Sequence, residues 1–182
     1  LSNSYSNIHR GLYDIAIESE EIYFESKKKV ANFLGTQDFK EIVYTYNSNY
    51  ALNIISQTLR LNQVLQAWDK VLVSIVEHHS NIVPWLILKE EIGIELEYVN
   101  INVNFEIDFV DFEKKYDEKV KVIAFTHVSN VTGQIFDLEK IWKIKRKDTL
   151  FIVDASQSFP HFQVNVEKLN CDFLKNYVDK KN

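Results

Sequence analysis

Methionine is absent from the 182 residues, and cysteine, proline and glycine are scarce at 1, 2 and 4 copies. Each shortage excludes something. The lone Cys171 cannot build an internal disulfide framework and fits a reducing, cytoplasmic compartment. So little glycine and proline leaves few hinges and no flexible linker, and no internal repeat or low-complexity tract is present. No apolar run approaches the ~18 residues that cross a bilayer, so no membrane partner is expected. The opening residues have no apolar stretch of the kind a secretory leader carries. Without such a leader the Asn130-Val131-Thr132 sequon is given no weight as a glycosylation site. Basic residues do not dominate either: 21 Lys and Arg stand against 26 Asp and Glu, a net charge of −5. No Arg/Lys stripe alternates with aromatics, so no nucleic-acid partner is expected. Lys27-Lys28-Lys29 reads as the solvated face of a helix and Lys143–Lys147 as the basic end of another. A chain without methionine that opens on Leu1 is expected to be a piece of a longer protein.

What is present is an ordinary globular balance, 46% hydrophobic and 26% charged, over enough residues for one α/β domain with a real core. Tyr13 to Leu34 is predicted helical, with roughly helix-spaced Ile15, Ile17, Ile22, Val30 and Phe33 and Gly35 as C-cap. Short apolar runs then alternate with amphipathic stretches. Strands are predicted over Ile42–Thr45, Val71–Val76, Leu96–Val99, Val120–Phe125 and Leu150–Val153. Helices are predicted over Tyr50–Leu61, Ile82–Ile92, Asp108–Tyr116 and Leu138–Ile144. Continuous apolar strands separated by helices indicate an α/β fold of three layers: a mainly parallel sheet with helices on both faces. In such a sheet the ligand site lies beyond the carboxyl ends of the strands.

Polar residues gather at those predicted ends: Asn47-Ser48-Asn49, Glu77-His78-His79, Thr126 to Asn130, and Asp154 with Gln157. Each has two readings. Asn47-Ser48-Asn49 either caps a helix or holds a phosphate on free N–H groups and the positive end of the helix dipole. His78 is either a surface imidazole or a flat ring stacked on an aromatic cofactor. His78 and His79 together are no natural chelate, because adjacent residues of extended chain point to opposite sides, and no metal is expected. Asp154 either caps the following turn or pairs with a protonated pyridine nitrogen; a buried charge needs one partner or the other. Ser129 and Ser156 sit in no Gly-x-Ser-x-Gly elbow, and Cys171 is better read as a small buried thiol than as a nucleophile.

Taken together, the residues resemble a known family. Val76-Glu77-His78-His79-Ser80-Asn81-Ile82-Val83-Pro84-Trp85 is similar to the Glu-His-His-x-Asn-Ile-Val-Pro-Trp segment of group II cysteine desulfurases and selenocysteine lyases. Thr126-His127-Val128-Ser129-Asn130-Val131-Thr132-Gly133 resembles their Thr-His-Val-Ser-Asn-Val-x-Gly. Val153-Asp154-Ala155-Ser156-Gln157 and Asn170-Cys171-Asp172-Phe173 resemble two further segments, and Ile8-His9-Arg10-Gly11 an upstream His-Arg-Gly. The matches run in family order across nearly the whole chain.

The resemblance implies the large domain of a class V aminotransferase-type enzyme that uses pyridoxal 5′-phosphate. Residues 1–36 would form an N-terminal helical arm, 37–173 part of the cofactor-binding large domain, and 174–182 a divergent tail. By carry-over, His78 would stack on the ring and Asp154 would pair with its nitrogen. Gln157 would reach the phenolic oxygen, with Asn130 near the same side. Ser48 and Asn49 would lie in the phosphate turn, where the family has Gly-Thr-Thr. Lys180 falls in register with the cofactor-linking lysine, but its Ser-Gly-His context is gone. The persulfide-forming Cys and the Arg that holds the substrate carboxylate are not among these residues, and Cys171 is not that Cys. The implied reaction is cysteine desulfuration for iron–sulfur cluster assembly, in a homodimer that hands sulfur to an acceptor protein. Two alternatives stay open: a selenocysteine lyase or other class V lyase, and a non-catalytic remnant that only dimerises or binds. The missing partner surface predicts exposed apolar area and poor solubility of the piece.

Overall fold

Side-chain alternation decides the architecture. In a computed structural model, which describes residues 6, 8 and 13–176, successive strand residues are buried into two different cores. Val71 and Val73, Val122 and Ala124, and Ile152 pack with Leu52, Leu59, Trp85 and Leu88. Their neighbours Leu72, Ile123, Phe125, Phe151 and Val153 pack with Phe112, Leu138 and Ile141. A strand buried on both faces has no room for polar alternation, which is why these segments read as unbroken apolar runs.

The described residues fall into two units, one from the first 44 residues with Val164–Glu167, the other from Thr45–Gln163 with the residues from Lys168 onward. The second unit holds five parallel strands, β1 (Lys70–Ser74), β2 (Glu95–Val99), β3 (Val120–Thr126), β4 (Leu150–Asp154) and β5 (Phe173–Lys175). Their order is β2-β1-β3-β4-β5. The chain winds outward from β1 to β2 and from β3 to β5 in opposite directions. The carboxyl ends of β1 and β3 therefore flank a topological switch point, where connecting loops part and leave a crevice. Helices α2 (Ser48–Leu61) and α3 (Val83–Ile92) supply one core, and α4 (Phe109–Lys115) and α5 (Glu139–Ile144) the other. This is the three-layer, parallel α/β fold the sequence predicts.

In the first unit, α1 (Asp14–Leu34) buries Ala16, Ala31 and Leu34. It stops at Gly35, whose φ is +79°, as the glycine predicts, but of the apolar positions that mark the helix in the sequence Ile15, Ile17, Ile22 and Phe33 are exposed. Thr36 N–H closes the turn on Ala31 O at 3.1 Å. A Cβ on Gly35 would also collide with the Asn165 side chain. Tyr23 meets Tyr44 edge-on at 5.8 Å and Phe24 meets Phe39 at 5.7 Å.

Two readings need correction. Ile42–Thr45 is not a strand: it follows the 3-10 turn Phe39–Glu41 and leads directly to α2. Ile42 is buried, but Val43 and Tyr44 are 71% and 47% exposed, and the segment pairs with none of the five strands. An apolar triplet becomes a strand only where a ladder partner exists. In the other direction, Phe173–Lys175 forms β5 and Val166–Leu169 a short α6, neither of which the pattern marks. Three residues are too few for a visible period. His9, Arg10 and Gly11 lie outside the described residues.

Candidate functional site

Four strand ends and one helix start converge on a cavity of about 450 Å³, a size suited to a small ligand. It is lined by Asn47, Ser48 and Asn49 at the start of α2, and by His78 and Ser80 after β1. Thr126, Val128 and Asn130 come from the end of β3 and beyond, Asp154, Ser156 and Gln157 from β4 and its exit, and Lys175 from the end of β5. All six cofactor-binding candidates, Ser48, Asn49, His78, Asn130, Asp154 and Gln157, thus share one space. Lys180 lies outside the described residues.

The rim is built on turns. Asn47 caps α2, its side-chain oxygen accepting from Tyr50 N–H at 2.8 Å. Both readings of this triplet are therefore compatible: Asn47 caps the helix, and all three residues line the cavity. Ser48 Oγ lies 3.2 Å from Ser156 Oγ, tying the helix start to the β4 exit. His78 opens a 3-10 turn, His79–Asn81. Its Nδ1 accepts from Ser80 N–H at 3.1 Å and lies 2.8 Å from Ser80 Oγ. These two contacts fix the orientation of the ring. His79, the first residue of that turn, is not among the cavity-lining residues.

Beneath the rim, Glu77 is a buried brace. Its carboxylate accepts from Ser74 Oγ at 2.5 Å, Asn81 Nδ2 at 2.7 Å and Thr126 N–H at 2.8 Å. These bonds join the end of β1, the turn after His78 and the end of β3. Burial pushes its pKa up to about 7 despite the three donors, and the charge of Asp154 adds to the rise. His127, beside the site, stacks edge-on against Phe162 at 5.5 Å, and its Nδ1 lies 3.1 Å from Ser158 Oγ. Burial lowers its pKa.

The floor is an ion pair. Asp154 Oδ1 accepts from Ser156 N–H at 3.0 Å. Asp154 Oδ2 meets Lys175 Nζ at 2.8 Å, the Lys and Asp side chains being 2% and 4% exposed. Parallel pairing places the two residues side by side, Asp154 opposite Lys175. Asp154 is thus a turn-capping acceptor and also a buried charge with a partner, but the partner is a residue the sequence reading passes over. The only available signal is a lysine directly after the apolar pair Phe173-Leu174. Glu77 stands in the polar list at the strand ends, yet its bracing role needs the distant Thr126 to be recognised. Cys171 is half-buried and its thiol is pushed up to about 12 by burial. A thiol so rarely ionised is a poor nucleophile, in agreement with its reading as a packing residue.

A parallel sheet whose strand-end loops surround a cavity at the switch point defines an α/β enzyme-like scaffold. The class V aminotransferase family model matches residues 1–176, and the chain belongs to that family. Its relatives are more particular. A probable cysteine desulfurase of Pyrococcus abyssi is 37% identical over 170 residues, which is 93% of this chain and 41% of that protein. The structure of a cysteine desulfurase from Thermococcus onnurineus superposes with a TM-score of 0.85 at 38% identity, over 94% of this chain and 42% of that one. A cysteine desulfurase from Escherichia coli gives 0.80 at 29% identity, over 93% and 42%. The chain therefore spans about two fifths of the length of the relatives it matches.

Proposed function

We propose that this chain carries the cofactor-binding wall of a pyridoxal 5′-phosphate-dependent cysteine desulfurase, one that converts cysteine to alanine and passes the sulfur on as persulfide for iron–sulfur cluster assembly. The observation that supports this reading is the convergence of six residues from four segments on one 450 Å³ cavity, in a chain whose relatives bear that enzyme's name.

The residues suit the cofactor at three points. At the start of α2, amides that lack intrahelical acceptors, together with the Ser48 hydroxyl, suit a phosphate. The His78 ring, locked by Ser80, offers a flat face for stacking. Gln157 and Asn130 bring amide donors to the same cavity for the phenolic oxygen. At the fourth point Asp154 lies ready for the ring nitrogen but already holds Lys175. Bound there, pyridoxal 5′-phosphate supplies an electron sink for charge developing on the amino-acid substrate. The protein's part is to clamp the phosphate and cover one ring face, with the Asp154–Lys175 pair at the position of the ring nitrogen. In the same reading Lys180 links the cofactor, and a cysteine and an arginine beyond the matched region complete the chemistry. The protein works as a cytoplasmic homodimer with cysteine as substrate and a sulfur-acceptor protein as partner.

One observation favours a second reading, a non-catalytic relative that binds without turnover: the carboxylate meant for the ring nitrogen is neutralised from within. A titration of the chain with pyridoxal 5′-phosphate, followed by borohydride and peptide mapping, tests the main reading. Saturable binding, weakened about tenfold in His78→Ala, with the label on Lys180 and lost in Lys180→Ala, is the expected result. Saturable binding without label would favour the non-catalytic relative. An absorption spectrum that stays that of the free cofactor at every protein concentration would overturn both.

A further inference from the structure

The Asp154–Lys175 pair bears on what the cavity selects, and the argument rests on the reading that a phosphorylated pyridine binds there. Asp154 has two carboxylate oxygens. Oδ1 is taken by the Ser156 amide at 3.0 Å and Oδ2 by the Lys175 ammonium at 2.8 Å. The lysine is not a passing surface group. Its side chain is 2% exposed, and β5 pairs in register with β4 so that the two side chains stand adjacent. Lys175 is also among the residues that line the cavity.

We infer that Lys175 is a specificity-determining residue: it competes with the ligand for Asp154, so the cavity takes a pyridine ring with its nitrogen unprotonated. Asp154 would stabilise a protonated ring nitrogen only if its charge were free to face it. With an ammonium already on Oδ2, a second cation meets one carboxylate and one like charge at close range, where electrostatics are only weakly screened. The nearly cancelled field removes the incentive for the nitrogen to hold a proton. The other titratable groups near Asp154 do not restore it. Glu77 is committed to Ser74, Asn81 and Thr126, the His127 ring is turned to Phe162 and Ser158, and the His78 ring belongs to the cavity wall. Lys175 acts on the ligand through Asp154, as a positioning residue. The outcome is a cavity that holds the phosphate and stacks the ring while weakening its electron-withdrawing power.

Pyridoxine 5′-phosphate is the appropriate probe, because it has the ring nitrogen and the phosphate but no aldehyde to react with amines. Its absorption reports ring protonation. When bound to the wild-type chain, its ring nitrogen should titrate at least one pH unit lower than in Lys175→Gln, and Lys175→Arg should behave as wild type. Lys175→Gln keeps a hydrogen-bond donor beside Asp154 while removing the charge. Equal midpoints in wild type and Lys175→Gln, or a lower one in the variant, would overturn the inference. If Lys175→Gln does not fold, the wild-type chain alone decides. There the probe and its analogue with carbon in place of the ring nitrogen should bind within about threefold of each other. A tenfold preference for the nitrogen-containing ring would mean that Asp154 is free to serve it. Failure of both phosphates to bind would sink the cofactor reading and this inference with it, whereas binding with unchanged midpoints sinks the inference alone.

Discussion

Glu77 puts a pH dependence into the stability of the protein. Burial raises its carboxyl from an ordinary 4.5 to about 7. Between those values the native state holds a proton that the unfolded chain has already released, so stability is full below about pH 4.5 and is lost as pH rises through 7. A shift of this size corresponds to about 3 kcal/mol. Urea midpoints at pH 5 and pH 8 are expected to fall for the wild type and to fall distinctly less for Glu77→Gln, whose side chain cannot ionise. Parallel loss in both proteins would assign the pH dependence elsewhere. Much at this scale was legible in the sequence. Ser48, Asn49, His78, Asn130, Asp154 and Gln157 were picked out and do line one cavity. Lys175 was not, because its importance comes from the residue across the β4–β5 ladder, 21 positions away.

Elements position these residues through their ends. The cap of α2 has two jobs, since Asn47 satisfies Tyr50 N–H and sets the direction in which Ser48 and Asn49 meet the cavity. Asn47→Ala is expected to cost about 1 kcal/mol, the usual worth of an N-cap, measured as a lower urea midpoint, and to weaken phosphate binding at the same time. A variant that loses stability but binds phosphate as before would separate capping from site geometry. Helices were readable from spacing, and the longer strands from their unbroken apolar runs. Ile42–Thr45 has the composition of a strand but no partner in the sheet, and β5 has a partner but only three residues. Whether a segment is a strand is settled by its neighbour.

At the scale of the molecule, the sheet is a septum between two cores. Phe125, fully buried and edge-on to Phe112 at 6.2 Å, sits in the α4–α5 core at the end of β3, one residue before the Thr126 amide that holds Glu77. Phe125→Ala is expected to lower stability by about 3–5 kcal/mol, a large share of the roughly 5–15 kcal/mol of a typical domain. Thermal unfolding should therefore begin far below the wild-type temperature, and a shift of only a degree or two would mean that the core refills the space. Among the described residues no helix is long and apolar enough to cross a membrane.

The sequence alone determined the layer order, the parallel sheet and the side of the sheet on which the site lies. Those follow from apolar runs alternating with amphipathic stretches and from the rule that ligands bind at carboxyl ends, and both are local in the chain. It also determined the family, through short segments whose order and spacing survive in one dimension. Tertiary structure decided the state of the site. Asp154 and Lys175 are a buried pair only because β4 and β5 run side by side in that register, and Glu77 braces two loops only because β1 and β3 are neighbours. Electrostatics act through space over a few ångströms, so the charge that a ligand meets depends on packing that no linear pattern records.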